Sequence, residues 1–194
     1  MARTRTEAKK TAILAAAQKA FASRDFHEVL TDEIAADAGI GKATLYRYFG
    51  TKEDLYFAAL LGAFEELHAV LEASLPREAS PVGRLSVIAR EVLRIFWNRR
   101  SFYTMRHHDQ RRFNAQDRVI QRHRERVIRT VEGVLRDGIA SGDLRSVDTR
   151  TAAELFMGMV RAILFYRREP DARDALVEQT VAVLLRGIAR TETR

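Results

Sequence analysis

TDEIAADAGIGKATLYRYFGTK, residues 31–52, contains two short helical patterns on either side of a glycine. In the first, apolar residues recur at helical spacing until Gly39, which readily takes the left-handed conformation that ends a helix. In the second, Leu45 and Phe49 are four residues apart and therefore lie on one face. Two short helices joined by a glycine-containing turn are typical of a helix-turn-helix, and we predict one here.

The residues that precede each helix set its predicted start. Thr31 is predicted to be the N-cap of the first helix, with Asp32 and Glu33 in the first turn, where the helix dipole favours acidic side chains. Gly41 precedes the second helix and tolerates the N-cap conformation, but it brings no capping side chain. The second helix is therefore expected to begin without a side-chain cap.

The second helix and the residues just after it carry a dense set of cations and hydrogen-bond donors: Lys42, Thr44, Tyr46, Arg47, Tyr48 and Lys52. So many donors on one short segment are typical of a surface that faces DNA phosphates. Lys42 is long enough to reach O6 or N7 of guanine, whereas Ala43 offers at most a methyl contact. Arg47 fits a solvated position as well as it fits a phosphate contact.

Composition is consistent with a folded protein that has an anionic partner. The 194 residues are 46% hydrophobic, include no Cys and carry a formal net charge of +7. The absence of Cys excludes disulfides, thiolate metal ligands and a thiol nucleophile. Ten Arg lie within 98–129, so much of the charge is outside the helix-turn-helix. The N-terminus shows no secretory signal and no apolar run could cross a bilayer, so we expect a cytoplasmic protein with no membrane partner.

Helical periodicity continues through the rest of the chain, and no strand pattern competes with it. Residues 1–5 are predicted to form a polar arm, which is either frayed or reaches DNA. The expected fold is all-α, with a three-helix DNA-binding domain over 1–52 and a second helical domain over 53–194. Helices are predicted over 6–23, 31–38, 42–49, 51–74, 82–98, 101–110, 115–141, 149–168 and 172–190.

Residues 34–60, IAADAGIGKATLYRYFGTKEDLYFAAL, resemble the DNA-binding segment of the tetracycline-repressor (TetR) family of bacterial regulators. Detailed resemblance covers about residues 6–64, and only the helix count and order are similar beyond it. Gly41, Ala43 and Tyr48 depart from the commonest pattern of the family. The matching features are Ala35, Ala38-Gly39, Thr44-Leu45-Tyr46, Tyr48-Phe49, Lys52 and Leu55.

The resemblance implies a role for each matching position. It implies that Tyr46 contacts bases or phosphates, and that the helix beginning at Thr31 braces against the DNA backbone. It places Lys42 and Ala43 near base edges. It implies phosphate contacts for Thr44, Tyr48 and Lys52. The predicted DNA-binding residues are Thr31, Lys42, Ala43, Thr44, Tyr46, Arg47, Tyr48 and Lys52.

The resemblance also implies an effector pocket among the middle helices and a dimer interface on the last two long helices. Residues 53–194 are therefore expected to be the effector-binding and dimerisation domain. Aromatic and methionine clusters are more often core, and wide apolar stripes are as consistent with packing inside one chain. The predicted pocket residues are Phe64, His68, Trp97, Phe102, Tyr103, Met105 and Met157. The predicted interface residues are Phe156, Val160, Ile163, Leu176, Val183 and Leu184.

Two further patterns have ordinary explanations. His107 and His108 are adjacent, so on a helix they point about 100° apart and do not form a metal-binding pair. The Arg-rich stretch over 98–129 is expected to be a solvated face with ion pairs; the alternative is that one or two of its Arg bind an acidic effector. We predict no metal and no cofactor.

The sequence thus predicts a homodimeric transcriptional regulator that binds a palindromic operator in double-stranded DNA. Most simply, it is a repressor released by a small-molecule effector, with the helix over 52–74 as the coupling element. The alternative is a ligand-independent architectural DNA-binding protein. An enzyme is not expected, because no paired-carboxylate or His–Asp–Ser motif is present.

Overall fold

The fold is all-α, as predicted. We describe a computed structural model of the chain over residues 2–75, 80–99, 114–166 and 173–188. These residues contain no β-strand, and a short 3-10 helix, Trp97–Arg99, follows α5. The α-helices of the described residues are α1 (Ala2–Ser23), α2 (Thr31–Asp37), α3 (Lys42–Phe49), α4 (Lys52–Ser74), α5 (Pro81–Phe96), α6 (Asn114–Ala140), α7 (Thr149–Tyr166) and α8 (Arg173–Ile188).

The chain divides into two compact units. The first comprises Met1–Glu66 and Asn98–Gln116, and the second comprises Leu67–Trp97 and Asp117–Arg194. The functional division predicted at residue 52 stays a prediction. None of the described helices is both long enough and apolar enough to cross a membrane.

Aromatic side chains form the core of the first unit. Phe21 on α1 meets Tyr56 on α4 edge to face, with ring centroids 4.8 Å apart, and Phe26 packs on the same ring at 5.2 Å. The Tyr56 hydroxyl is buried and donates a hydrogen bond of 2.7 Å to the carbonyl oxygen of Arg99. Tyr56 thus adds apolar surface to the core while its one polar atom has a partner.

Local sequence sets most helix ends in the first unit. Gly39 has φ +65°, and the amide of Ile40 donates to the Ala35 carbonyl at 2.9 Å, which closes α2 in a Schellman motif. At the start of α4, the Thr51 hydroxyl accepts from the Asp54 amide and the Asp54 carboxylate accepts from the Thr51 amide. This reciprocal pair is a capping box, which places the start of α4 at Lys52, one residue after the predicted start at residue 51.

One predicted boundary in the first unit is wrong. The polar arm expected over residues 1–5 is helical from Ala2 onward, so α1 begins four residues before the predicted start at residue 6. The segment between the predicted and observed starts has no proline or glycine that would end a helix.

Helices α5, α7 and α8 pack against one another in the second unit. Ser80 caps α5, with its hydroxyl accepting from the Gly83 amide, and Pro81 occupies the first helical position, one residue before the predicted start at residue 82. Asp148 caps α7 by accepting from the Thr151 amide at 2.7 Å. Hydrogen bonds from the side chain of Thr151 and then from its backbone amide hold the pKa of Asp148 below its ordinary value.

Helix α6 is joined to the start of α7 by ion pairs. Arg150 makes a two-pronged contact with Glu125, with N···O distances of 2.6 and 2.7 Å, and also pairs with Glu154. These hydrogen bonds raise the pKa of Arg150 and lower that of Glu125. Both groups therefore remain ionised at neutral pH.

Candidate nucleic-acid interface

Helix α3 is anchored by one buried side chain and turns its opposite face outward. Leu45 is fully buried in the first unit. Ala43 and Arg47 lie almost diametrically opposite Leu45 on the helix, and both are exposed. Helix periodicity puts Lys42 and Tyr46 on one flank of this exposed strip, and Thr44 and Tyr48 on the other.

Thr31 and Tyr46 tie α2 to α3. Their hydroxyl oxygens share a hydrogen bond of 3.0 Å, and Thr31 is only 7% exposed. The prediction that Thr31 is the N-cap of α2 is wrong: Leu30 holds the N-cap position and no side chain caps the helix. Thr31 is the first residue of α2, and its hydroxyl contacts the Tyr46 side chain of α3 instead of capping its own helix.

Lys42 is paired with an acidic residue of α2. Its Nζ lies 2.9 Å from Oδ1 of Asp32, and the two side chains are 55% and 65% exposed. The hydrogen bond to Asp32, followed by the charge of that carboxylate, raises the pKa of Lys42. The lysine therefore stays cationic, and a carboxylate already occupies one of its donor directions.

Lys52 rests on an aromatic ring. Its Nζ lies 4.4 Å from the centroid of the Phe26 ring, in cation–π geometry. Partial burial lowers the pKa of Lys52. The ring supports the side chain from one side, so the ammonium sits in a restricted position at the first residue of α4.

Two residues of this surface were not predicted as site residues. Asp32 was placed only as a dipole-favoured acid, yet it pairs with Lys42. Phe26, which lies between α1 and α2, is a buried core residue and also supports Lys52. Neither contact could be predicted from local sequence patterns, because each joins residues on different structural elements.

The predicted pocket residues are only partly within the described structure. Phe102, Tyr103 and Met105 lie outside the described residues, as do His107 and His108. Phe64 is buried in the first unit, whereas His68 and Trp97 are buried in the second. The His68 Nε2 lies 3.3 Å from the His123 Nδ1.

Met157 lines a cleft of about 320 Å³ between α6 and α7. Charged side chains from both helices line the same cleft, including Arg124, Arg161 and Glu154. Among the residues that the structure describes, no group of three or more His, Asp or Glu side chains is placed to hold a metal ion.

Most of the predicted interface residues are core residues of a single chain. Phe156 and Val160 are fully buried, and Ile163 and Leu184 are buried too. Leu176 is half-buried. Val183 is 60% exposed. The dimer interface on these helices stays a prediction.

Apolar residues of α7 do lie on its surface. Leu155 is 62% exposed, and Met159, Ala162 and Tyr166 follow it at intervals that keep one flank of the helix. These four residues, together with Val183 of α8, are here called the α7–α8 apolar strip. Exposed apolar residues in a row are more informative than isolated ones.

A helix-turn-helix that displays amine, hydroxyl and guanidinium groups, followed along the chain by a second helical unit, defines a DNA-binding transcriptional regulator. The family model described as "Bacterial regulatory proteins, tetR family" matches residues 13–59, and the "Tetracyclin repressor-like, C-terminal domain" model matches residues 78–188. The chain therefore belongs to the TetR family. Proteins of this family are transcriptional regulators rather than enzymes; they bind DNA and small molecules and act as dimers.

Similar proteins agree with this assignment along most of the chain. The HTH-type transcriptional regulator YhgD of Bacillus subtilis is 26% identical over 188 residues, covering 91% of this chain and 92% of its own length. The fatty acid metabolism regulator protein of Bacillus subtilis is 22% identical over 150 residues, covering 76% and 77%. The crystal structure of FadR from Bacillus subtilis in complex with stearoyl-CoA has a TM-score of 0.70 at 20% identity, covering 92% and 98%. That likeness shows a shared fold.

Proposed function

We propose that this chain is a cytoplasmic, homodimeric repressor that binds a palindromic operator through α3 and leaves it when a small molecule binds. The observation that carries the proposal is the exposed strip of Ala43 and Arg47, flanked by polar and charged side chains on both sides. A helix of this shape fits a major groove with its exposed strip against base edges and its flanks toward phosphates.

The flanks and the centre of α3 are assigned different tasks. Thr44, Tyr48 and Lys52 are proposed to contact phosphates, which fixes the register of the helix on the duplex. Lys42, Tyr46 and Arg47 are proposed to reach base edges, and Ala43 to meet a thymine methyl group. The fixed positions of Tyr46 beside Thr31 and of Lys52 beside Phe26 support this division, because an ordered side chain loses less entropy on binding.

A second copy of the chain is proposed to cover the α7–α8 apolar strip. Two-fold symmetry places the same strip on both protomers and repeats the recognition helix. The two copies of α3 would then meet half-sites about 34–36 Å apart on one face of the duplex. This geometry supports a palindromic operator.

The effector is proposed to bind in the second unit at His68 and Trp97, which are both buried. His68 also lies within hydrogen-bond distance of His123, so the proposed site contains polar groups. It releases DNA only if it binds the DNA-free conformation more tightly than the DNA-bound one. Helix α4 is proposed to couple the two events, because it begins at Lys52 and continues without a break through His68. Stearoyl-CoA, which the Bacillus subtilis FadR structure contains, is the first effector to test.

In vitro selection from a random duplex pool tests the proposal. The purified full-length protein is expected to enrich a two-fold symmetric sequence, and fluorescence anisotropy is expected to show tighter binding to it than to a shuffled duplex. Arg47→Ala should reduce this preference and leave the melting temperature unchanged, because Arg47 is exposed. Binding that is equally tight to both duplexes would instead support the architectural alternative.

The effector is tested separately on the selected duplex. Small molecules, with stearoyl-CoA first, are added to the preformed complex, and the loss of anisotropy is measured. A compound that releases the wild type should fail to release His68→Leu, while that variant still binds DNA. If no compound in a broad metabolite panel alters binding, the effector part of the proposal is wrong and the DNA-binding part stands.

A further inference from the structure

An ion pair lies on the flank of α3 that is proposed to read bases. Lys42, the first residue of α3, places its Nζ 2.9 Å from Oδ1 of Asp32 in the first turn of α2. Tyr46 shares that flank one helical turn later, and its hydroxyl contacts Thr31 of α2. Two successive residues of α2 thus meet the same flank of α3, one through a neutral contact and one through a charged contact.

Both members of the ion pair can contact a further partner. The side chain of Lys42 is 55% exposed and that of Asp32 is 65% exposed. An ammonium group has three N–H donors and an ionised carboxylate has about four acceptor directions, so their mutual contact uses only part of each group. The pair therefore presents a donor and an acceptor side by side and does not have to separate before it contacts DNA.

The spacing of the pair matches the major-groove edge of a base pair. In a G·C pair, guanine O6 is an acceptor, the N4 amino group of cytosine is a donor, and a hydrogen bond of about 2.9 Å joins the two atoms. An ammonium above O6 and a carboxylate above N4 would lie about as far apart as Lys42 and Asp32 do. Both base contacts can therefore form at once while the ion pair stays intact.

We infer that Asp32 is a specificity-determining residue, which accepts a hydrogen bond from a base amino group while Lys42 donates to the keto oxygen of the same base pair. This inference rests on the proposed function. A G·C pair satisfies both groups, and guanine N7 offers Lys42 a second acceptor. A T·A pair presents its keto and amino groups in the same order but lacks that N7. The reversed pairs, C·G and A·T, exchange the positions of the keto and amino groups.

Discrimination arises here from contacts that differ between sequences. The attraction of Lys42 to phosphates and the repulsion of Asp32 by them are the same on every duplex, so they change only the general affinity. A reversed base pair instead places an amino group against the lysine and a keto oxygen against the carboxylate. Donor then faces donor and acceptor faces acceptor, which is unfavourable at that base pair alone.

Asp32→Asn in the full-length protein tests the inference, with Glu33→Gln as the matched control. Both variants remove one negative charge from the same turn, but Glu33 pairs with Arg24 at 2.5 Å and not with Lys42. An amide carries both a donor and an acceptor, so asparagine can contact the base pair in either orientation. Asp32→Asn should therefore lose discrimination between the two orientations, whereas Glu33→Gln should keep it.

The measurement compares duplexes that differ at one base pair. In selection from a random pool, the wild type should prefer guanine at one position of each half-site, with thymine second. Each base pair of one half-site is then reversed in turn, and the loss of affinity is measured by anisotropy. At the preferred position, this loss should be about fivefold smaller for Asp32→Asn than for the wild type. Glu33→Gln should show the same loss as the wild type.

Lys42→Met identifies the base pair that the ion pair contacts. It should relax the preference at the same base pair as Asp32→Asn and leave the other positions unchanged. The inference is overturned if the two substitutions act at different base pairs, or if Asp32→Asn changes the affinity for all duplexes by the same factor. Circular dichroism and melting curves identify any variant that is misfolded. In that case Asp32→Ser replaces Asp32→Asn, because a hydroxyl also contacts either orientation.

The outcome for the wild type distinguishes this inference from the proposed function. If the wild-type protein binds the selected duplex and a shuffled duplex equally, the proposed function fails and the inference fails with it. If the wild type discriminates and Asp32→Asn retains the wild-type preference at every base pair, only the inference is wrong.

Discussion

The hydroxyl groups of Thr31 and Tyr46 join the two helices of the helix-turn-helix through one partly buried hydrogen bond. Removing either hydroxyl leaves the other without its partner in a region that is largely shielded from water, since Thr31 is only 7% exposed. Thr31→Val and Tyr46→Phe should therefore each lower the free energy of unfolding by about 1 kcal/mol. In urea denaturation, the double variant should lose about 1 kcal/mol less than the sum of the losses of the two single variants. This difference is the coupling energy of the two hydroxyls. Strict additivity would mean that the hydroxyls do not interact.

Lys52 is expected to supply sequence-independent affinity. Lys52→Ala should weaken binding to every duplex and reduce the slope of log K against log salt by about 0.9 for each phosphate that the variant no longer neutralises. Lys52→Met keeps an apolar stem beside Phe26 without the charge, and should show the same salt slope as Lys52→Ala. Anisotropy titrations over a range of salt concentrations measure the slope, and an unchanged slope would rule out a phosphate contact.

Single-residue roles could be predicted only where the cause is local. The outward position of Arg47 follows from its spacing to Leu45, and the structure agrees. The contacts of Thr31 with Tyr46 and of Asp32 with Lys42 join residues 15 and ten positions apart, through a turn whose geometry the sequence does not specify in detail. For this reason Thr31 was assigned a capping role that it does not have.

At the scale of the helical element, the turn between α2 and α3 depends on Gly39. Its φ of +65° is unfavourable for a residue with a Cβ, although no atom lies near enough to clash. Gly39→Ala should therefore lower the free energy of unfolding by about 1 kcal/mol through backbone strain alone. Gly39→Asn should cost less, because asparagine tolerates this conformation better.

Gly41 is the matched control for Gly39. Its φ of −81° and ψ of 151° suit any residue at an N-cap, and α3 has no side-chain cap. Gly41→Ser should be neutral or slightly stabilising in the same thermal or urea denaturation. If both variants destabilise the protein equally, the loss comes from flexibility in the turn and not from strain at Gly39.

Most helix ends were predictable because capping is decided within a few residues. The observed starts of α4, α5 and α7 lie within one residue of the predicted starts at residues 51, 82 and 149, and Gly142, with φ +82°, directly follows the predicted end of α6 at residue 141. The start of α1 was not predictable in the same way, because no capping residue marks it. The polar character of residues 1–5 suggested an arm, but polarity alone does not exclude a helix.

At the scale of the whole chain, Gly138 is a tight contact between elements of the second unit. A Cβ at this position would lie 2.7 Å from Cδ1 of Leu144 and 2.9 Å from Cγ of Pro81. Gly138→Ala should lower the free energy of unfolding by about 1–3 kcal/mol, because both neighbours are buried and Pro81 is rigid. Gly133→Ala is the control on the same helix, with nothing within 4 Å, and should stabilise by about 0.5–1 kcal/mol. Equal effects of the two substitutions in urea denaturation would contradict the packing argument.

The division of an apolar stripe between core and surface could not be read from the sequence. Residues 155 and 156 of α7 are neighbours and both apolar, yet Leu155 is 62% exposed and Phe156 is fully buried. A helix with a wide stripe has two flanks, and the packing of α5 and α8 decides which flank is covered. The predicted interface residues therefore include some, such as Phe156, that are buried within one chain, and the interface itself stays a prediction.

The exposed flank leads to a prediction about assembly. Leu155→Arg should convert the proposed dimer to monomers, because a buried, unpaired guanidinium is costly at an apolar interface. Sedimentation velocity measures the change, and binding to the selected palindrome should fall with it, since a monomer contacts only one half-site. Val82→Arg is the control: Val82 is another exposed apolar residue of the second unit, outside the α7–α8 apolar strip, and its substitution should leave the sedimentation coefficient unchanged. A Leu155→Arg protein that still sediments as a dimer would place the interface on another surface, whereas a wild-type protein that sediments as a monomer would contradict the homodimer itself.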